Sequence, residues 1–119
     1  ASRGNTITNV PKPDITAPGV NILSPYLDNL YVQVTGTSVS AAYLAGYLAR
    51  LMEWGITNNN FPMMNTAFLR KAITQSACRS DDEQYPNPNW GYGILCPDKV
   101  EDYLNSIILV QENLTIYPV

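Results

Sequence analysis

Residues 37–49, TSVSAAYLAGYLA, constrain the fold more than any other stretch, because they contain no charged side chain. Small and apolar residues recur at helical spacing in two stripes. One stripe consists of Val39, Ala42, Gly46 and Ala49, and the other of Leu44, Leu48 and, just beyond this stretch, Leu51. A helix with apolar surface around most of its circumference must be covered on more than one side. The pattern therefore predicts a helix that begins at Thr37 and is buried for its first three turns, until Arg50 and Glu53 appear.

Two short segments before this helix have the character of β-strands. Residues 20–24 and 30–34 are rich in β-branched and apolar residues, and a turn-forming segment separates them. Alternation in the second segment places Val32 and Val34 on one face. The two segments are therefore predicted to be neighbouring strands of a sheet.

Two further helices and an extended tail are predicted after residue 60. The first helix runs from Thr66 to Ala77 with Asn65 as its N-cap. The second covers residues 97–107, where Pro97 suits a first helical turn. In the tail, apolar residues alternate with polar ones and predict one kinked strand or a small hairpin; they are Ile108, Val110, Leu114 and Ile116.

Composition limits the classes of protein to which the chain can belong. Its 119 residues, 45% of them hydrophobic, are enough for one globular domain. The net charge is -3 and the seven basic residues are scattered, so nucleic acid is not an expected partner. No apolar stretch approaches the roughly 20 residues that a membrane-spanning helix needs, and the first residues lack signal-peptide architecture.

The absence of histidine restricts the catalysis that the chain can perform. Histidine is the usual general base at neutral pH, and the sequence contains none. A hydrolase of the Ser-His type therefore cannot be complete within these residues. Either the chain is not an enzyme or it is part of one.

The hydroxyl groups at the head of the predicted helix have two alternative uses. A Ser or Thr at a helix start can cap it, by accepting a hydrogen bond from an N–H of the first turn. It can also react, because the free N–H groups there stabilise developing negative charge. The nucleophile-elbow pattern GxSxG does not fit, since Ser40 stands two residues after Ser38. By spacing alone, capping is the commoner use.

Three motifs taken together resemble a known family. They are SRG at residues 2–4, KPDITAPGVNILS at 12–24 and TGTSVSAAYLAG at 35–46. In order and spacing they resemble the C-terminal part of the catalytic domain of subtilisin-like serine proteases, the subtilases of peptidase family S8. WGYG at 90–93 extends the likeness, which covers about residues 1–105. GTSVSAA and YPNPNWGYG are most similar to the clostridial branch that includes spore germination proteases.

The resemblance implies a fold class and a domain assignment. The fold would be α/β, the C-terminal portion of a subtilisin-like three-layer arrangement in which helices flank a parallel sheet, and it would be incomplete on its own. Residues 1–119 would form the C-terminal segment of one catalytic domain, with 107–119 as a family-specific tail. Small residues of the predicted helix would press against that sheet.

The resemblance also assigns roles to residues of the TGTS motif. Ser38 would be the nucleophile, and its backbone N–H one of two oxyanion donors. Thr35, Gly36 and Thr37 would form the floor that binds the substrate beside the scissile bond. The triad Asp and His would precede these residues in the protein, which accounts for the missing histidine. Asp14 belongs to the DITAPG motif and is not expected to be the triad carboxylate.

The implied function is that of a fragment of a serine endopeptidase, which hydrolyses peptide bonds through a Ser38 acyl-enzyme and is inactive alone. Its partners would be a protein or peptide substrate and the upstream part of the same protease. Ala42 and Tyr43 stand where the family usually has Pro and His, and Val39 where it often has Met. Two alternatives stay open: a pseudoprotease or regulatory binding protein with the subtilase fold, and an autonomous small domain in which TGTS is only a cap.

No cofactor is expected, although Ca²⁺ is used by many relatives and could serve the parent enzyme. Asp81, Asp82 and Glu83 are interpreted as a solvated turn and not as a metal site. Cys78 and Cys96 are expected to be separate thiols. The family suggests an extracellular or spore-associated protein, whereas the residues alone leave the compartment open.

Overall fold

The computed structural model describes residues 9–116 together with residues 1, 3, 4 and 7, and for residues 109–116 it describes the backbone alone. Within these residues, two strands and three helices follow one another. They are β1 (Ile22–Pro25), β2 (Tyr31–Val34), α1 (Thr37–Met52), α2 (Thr66–Gln75) and α3 (Pro97–Ile116). A 3-10 turn, Leu27–Asn29, joins the strands, and a π-helical turn, Glu53–Thr57, continues α1.

The two strands form an antiparallel hairpin. Their register pairs Ile22 with Val34 at one end and Pro25 with Tyr31 at the other. Val32 and Val34 are half-buried whereas the alternate residues of β2 are exposed, as the period of two requires. Both predicted strands and their pairing are therefore confirmed, with β1 shifted by one to two residues.

Helix α1 begins at Thr37, as predicted, but the prediction of a buried helix is wrong. None of its residues is buried. The leucine stripe is half-buried against the core, and it includes Leu44, Leu48 and Leu51. The opposite face, which carries the small residues, is exposed; it includes Ala41, Ala42, Ala45, Gly46 and Ala49. A helix with two apolar faces needs two covers, and the described residues supply only one.

The core lies between α2, α3 and the leucine stripe of α1. Its buried cluster consists of Ile73, Leu95, Val100 and Leu104. The predicted cap of α2 is confirmed, because the Asn65 Oδ1 atom accepts a hydrogen bond of 2.9 Å from the Phe68 N–H. The helix itself ends at Gln75, two residues before the predicted end.

Helix α3 runs on to Ile116, so the prediction of a strand or hairpin in the tail is wrong. The tail retains the spacing of the buried residues Val100 and Leu104, since Ile108 follows Leu104 by four positions. No Gly or Pro interrupts the chain between Asp98 and Ile116, so nothing in the sequence stops the helix. Residues 117–119, the end of the predicted tail, lie outside the described residues.

Among the described residues, no helix combines the length and the apolar character that crossing a bilayer requires.

The two cysteines form a disulfide bond, so the expectation of separate thiols is wrong. The Cα atoms of Cys78 and Cys96 are 5.5 Å apart, within the range that a disulfide needs. Backbone pairing brings them together: the Cys78 N–H donates to the Ile94 carbonyl at 2.8 Å, and the Ile94 N–H donates back at 2.9 Å. This pairing is tertiary, and the spacing of the cysteines in the sequence does not reveal it.

The DITAPG segment lies beside the WGYG segment. The Tyr92 N–H donates to the Asp14 carbonyl at 2.9 Å, and the Thr16 N–H donates to the Gly93 carbonyl at the same distance. The Leu95 N–H then donates to the Thr16 carbonyl at 2.7 Å. These bonds support the stretch of chain that leads into β1.

Gly91 allows this close approach. Its φ of 61° lies in the left-handed region, and a Cβ atom there would collide with the Pro13 and Asp14 carbonyl oxygens. The first glycine of WGYG is therefore required by both conformation and space.

Asp14 ties the same segment to α2. One of its carboxylate oxygens lies 2.8 Å from the Lys12 Nζ atom and the other 2.8 Å from an Arg70 guanidinium nitrogen. Partial burial by itself would raise the pKa of Asp14, but the Lys12 hydrogen bond and the charges of Arg70 and Lys12 outweigh it and lower the pKa below 3.8.

We expect the disulfide to stabilise the fold. Replacing both cysteines, Cys78→Ser with Cys96→Ser, should lower the free energy of unfolding by about 3 kcal/mol, because the 18-residue loop is then free in the unfolded chain. Denaturant titration measures this difference. Adding a reductant should destabilise the unchanged protein and leave the double variant unaffected; equal stability of the two proteins would contradict the prediction.

Asp14 should make stability depend on pH in acid. A carboxyl group with a lowered folded-state pKa contributes stability that is complete above its usual value of 3.8 and is lost as the pH falls through the folded value. Asp14→Asn should therefore destabilise the protein at neutral pH and flatten its stability profile in acid. Thermal unfolding across this pH range tests it, with the exposed Asp102→Asn as control. Unchanged acid dependence in Asp14→Asn would contradict it.

Candidate active site

The TGTS motif lies at the junction between β2 and α1. Because β2 ends at Val34 and α1 begins at Thr37, only Thr35 and Gly36 connect them. Ser38 therefore lies in the first turn of the helix and is exposed to solvent. The four residues that the resemblance assigned to the site are thus contiguous in space, at the N-terminal end of a 16-residue helix.

A hydroxyl group does not cap this helix. The N-cap residue is Gly36, and no side chain makes a cap hydrogen bond. The first backbone bond runs from the Ser40 N–H to the Gly36 carbonyl at 3.2 Å. The N–H groups of Ser38 and Val39 precede it and have no intrahelical partner. The capping interpretation of TGTS is therefore not realised, and the free donors point towards the space beyond the helix start.

The hydroxyl groups around the junction are used differently. The Ser40 Oγ atom donates to the Gly36 carbonyl at 3.5 Å, and the Thr35 Oγ1 atom accepts from the Asn21 N–H at 2.9 Å. Within the described part of the chain, the Ser38 hydroxyl makes no hydrogen bond. The same holds for the Thr37 hydroxyl, so Thr37 and Ser38 carry the unengaged hydroxyl groups of this junction.

The segment that precedes β1 is hydrogen-bonded to this junction. The Gly36 N–H donates to the Gly19 carbonyl at 2.8 Å. A Cβ atom at Gly19 would collide with the Ser40 hydroxyl and would lie 2.7 Å from the Gly36 carbonyl oxygen. Only glycine fits there, so the last residue of DITAPG and the Gly of TGTS lie in direct backbone contact.

Gly19 and Asn21 are parts of the site that the sequence patterns did not predict. The register of the hairpin contains the missing signal, because the pair Ile22 and Val34 is followed by Asn21 opposite Thr35. Had the register been assigned from the two strands, extending it by one pair would have identified this contact.

A cavity of about 450 Å³ adjoins the helix start. Thr37, Ser40 and Leu44 line it from α1, and Ile15, Ala17 and Trp90 from the facing segments. Ser38 is not among its lining residues. The Ser38 hydroxyl therefore lies on open surface and not in this cavity.

Among the described residues, no group that would activate a serine is bonded to Ser38. The chain has no histidine, and the Asp14 carboxylate is held by Lys12 and Arg70. Within the described residues, no three His, Cys, Asp or Glu side chains come together as a metal site. Within the described residues, the arrangement offers an unengaged serine hydroxyl and backbone donors, and it offers no base.

Comparison with known proteins extends these observations. The model of the subtilase family, Peptidase_S8, matches residues 1–94. A thermostable alkaline protease of Halalkalibacterium halodurans is 33% identical over 75 residues, which is 63% of this chain and 19% of that protein. The subtilisin-like protease SBT3.2 of Arabidopsis thaliana is 39% identical over 94 residues, 72% of this chain and 12% of that protein.

A solved structure shares the fold. The CspB protease of Clostridium perfringens superposes with a TM-score of 0.82 and 36% identity, covering 88% of this chain and 23% of that one. The chain therefore spans less than a quarter of the length of each of these relatives. Its fold is an incomplete portion of the subtilisin-like α/β fold, as predicted, and the likeness to CspB is compatible with the clostridial branch.

The family model covers well over half of the chain, including both the DITAPG segment and the TGTS junction. The chain belongs to the subtilase family.

Proposed function

We propose that this chain is the nucleophile-bearing segment of a serine endopeptidase, and that Ser38 forms the acyl-enzyme. The observation that carries the proposal is the state of the Ser38 hydroxyl. It is exposed at the start of α1 and unengaged, while the neighbouring Thr35 and Ser40 hydroxyls are bound to backbone groups. Family membership supports the proposal, and so do the protease names of the relatives.

The first half of the reaction forms a covalent intermediate. The Ser38 Oγ atom attacks the carbonyl carbon of the scissile peptide bond, and its proton passes to a general base. The C–N bond then breaks, the amine leaves with that proton, and an ester joins the substrate to Ser38. Water then attacks the ester carbonyl carbon while the base takes its proton, the bond to the Ser38 Oγ atom breaks and that oxygen receives the proton, and the carboxylic acid product leaves. Because the chain has no histidine, the base and its carboxylate partner belong to the upstream part of the protease.

The helix start contributes to stabilising the transition state. As the carbonyl oxygen becomes negative, the Ser38 backbone N–H donates to it, and the positive end of the α1 dipole lies beside it. The backbone of Thr35, Gly36 and Thr37 forms the floor under the substrate. Gly36 has no side chain, so the substrate backbone can approach the loop closely.

The exposed small-residue face of α1 is the proposed docking surface for the upstream part of the protease. Its residues are Ala41, Ala42, Ala45, Gly46 and Ala49. Small side chains allow a second element to approach the helix backbone closely. The CspB chain is more than four times as long as the part that this chain matches, so that relative has further chain beyond the matched part.

Removing the nucleophile should abolish activity. In the complete protein, Ser38→Ala should lower peptide hydrolysis by about a millionfold, the loss expected when a triad serine is removed. It should also abolish covalent labelling by a fluorophosphonate probe, which is detected by mass spectrometry. The 119 residues expressed alone should not be labelled, because they hold no base.

Ser40→Ala is the matched control. Ser40 is a serine two residues away, and its backbone N–H still bonds the Gly36 carbonyl when the hydroxyl is removed. This variant should retain labelling. Labelling that persists in Ser38→Ala would overturn the assignment of the nucleophile. A folded complete protein that is never labelled would instead identify a pseudoprotease.

A further inference from the structure

We propose that Thr35 is a positioning residue. Its hydroxyl holds residues 35–38, the nucleophile loop, against residues 19–21. This inference rests on the proposed function, and it assigns to Thr35 a task other than contact with the substrate. The observation behind it is the 2.9 Å hydrogen bond in which the Thr35 Oγ1 atom accepts from the Asn21 backbone N–H.

The conformation of Asn21 explains why a side chain makes this bond. The hairpin ladder ends at the pair Ile22 and Val34, and Asn21 has a φ of 52°. A residue in the left-handed region leaves the extended conformation, and Asn accepts it more readily than most residues do. The chain therefore turns out of the ladder at Asn21, and its N–H reaches the Thr35 hydroxyl.

A second bond makes the attachment directional. The Gly36 N–H donates to the Gly19 carbonyl at 2.8 Å, so this bond runs from the nucleophile loop to the segment 19–21. One bond alone leaves the loop free to pivot about it. Two bonds at adjacent residues, Thr35 and Gly36, fix the direction in which the chain enters α1.

That direction determines where the Ser38 N–H points. Only Gly36 and Thr37 separate Thr35 from Ser38, and Gly36 has no side chain to restrict its backbone. A displacement of about 1 Å at a catalytic group lowers the reaction rate substantially. The hydroxyl of Thr35 thus acts on the reaction through the orientation of Ser38.

Thr35→Val and Thr35→Ser in the complete protein separate positioning from substrate binding. Valine keeps the shape and removes the acceptor, whereas serine keeps the hydroxyl. Thr35→Val should lower the rate of fluorophosphonate labelling, and kcat on fluorescent casein, by about five- to tenfold, the factor expected for one neutral hydrogen bond. KM should stay unchanged. Thr35→Ser should remain within about twofold of the unchanged protein.

Amide hydrogen exchange reports on the hydrogen bond between Asn21 and Thr35 independently of activity. Amide hydrogen exchange at Asn21 should be slow in the unchanged protein and in Thr35→Ser, and faster in Thr35→Val by the same factor of about five to ten. The exposed Thr57→Val, in the turn after α1, is the matched control and should alter neither exchange at Asn21 nor labelling. If Thr35→Val does not fold, Thr35→Ala replaces it.

The outcomes distinguish this inference from the proposed function. A higher KM in Thr35→Val, with unchanged kcat and unchanged labelling, would make Thr35 a substrate contact and overturn the inference. Unchanged exchange at Asn21 would overturn it too. If the unchanged complete protein is not labelled at all, the proposed function fails, and exchange at Asn21 alone then decides whether the bond braces the loop.

Discussion

The backbone contact between Gly19 and Gly36 is the constraint on which the candidate site depends. Its N–H to carbonyl bond is 2.8 Å long, and a Cβ atom at Gly19 would collide with the Ser40 hydroxyl. The contact closes the open end of the hairpin and sets the point where α1 begins. This interaction joins two glycines that are 17 positions apart in the sequence, one in DITAPG and one in TGTS, and it requires glycine at position 19. It also leaves the Ser38 hydroxyl on the side of the helix that faces solvent.

Two other parts of the chain hold the segment of Gly19 in place. Asp14 joins its segment to α2 through Arg70, and Thr16 joins it to the WGYG segment through backbone bonds to Gly93 and Leu95. The Cys78–Cys96 disulfide then closes the loop that carries WGYG. A continuous series of contacts therefore links the Ser38 junction to this disulfide. Most of these contacts are backbone hydrogen bonds, which tolerate little displacement. These contacts occupy backbone and carboxylate groups, and they leave the serine unengaged.

Local patterns predicted much of the fold, and the failures have separate physical causes. The start of α1, the Asn65 cap and both strands depend on neighbours in the sequence, and all were predicted. The disulfide depends on pairing between Cys78 and Ile94, which are 16 residues apart, and it was not. The tail was misassigned as a strand or hairpin because it contains two apolar spacings. Apolar residues two positions apart indicate a strand, and apolar residues four positions apart indicate a helix. In the candidate site, Ser38 was assigned through the family likeness, whereas the contact between Thr35 and Asn21 becomes visible only from the hairpin register.

Two features of α1 that look unrelated have one explanation under the proposed function. Its small-residue face, which a buried helix would cover, is exposed, and its Ser38 has no base. A surface of small side chains gains free energy only when another element packs on it closely. A serine gains reactivity only when a base is held beside it. An upstream segment that packs along this face would approach the first turn of α1, where Ser38 lies, so the packing that covers the helix can also deliver the base. Docking and activation would then be the same event, and the rigid brace under Gly36 is what allows the nucleophile to be positioned before that event occurs.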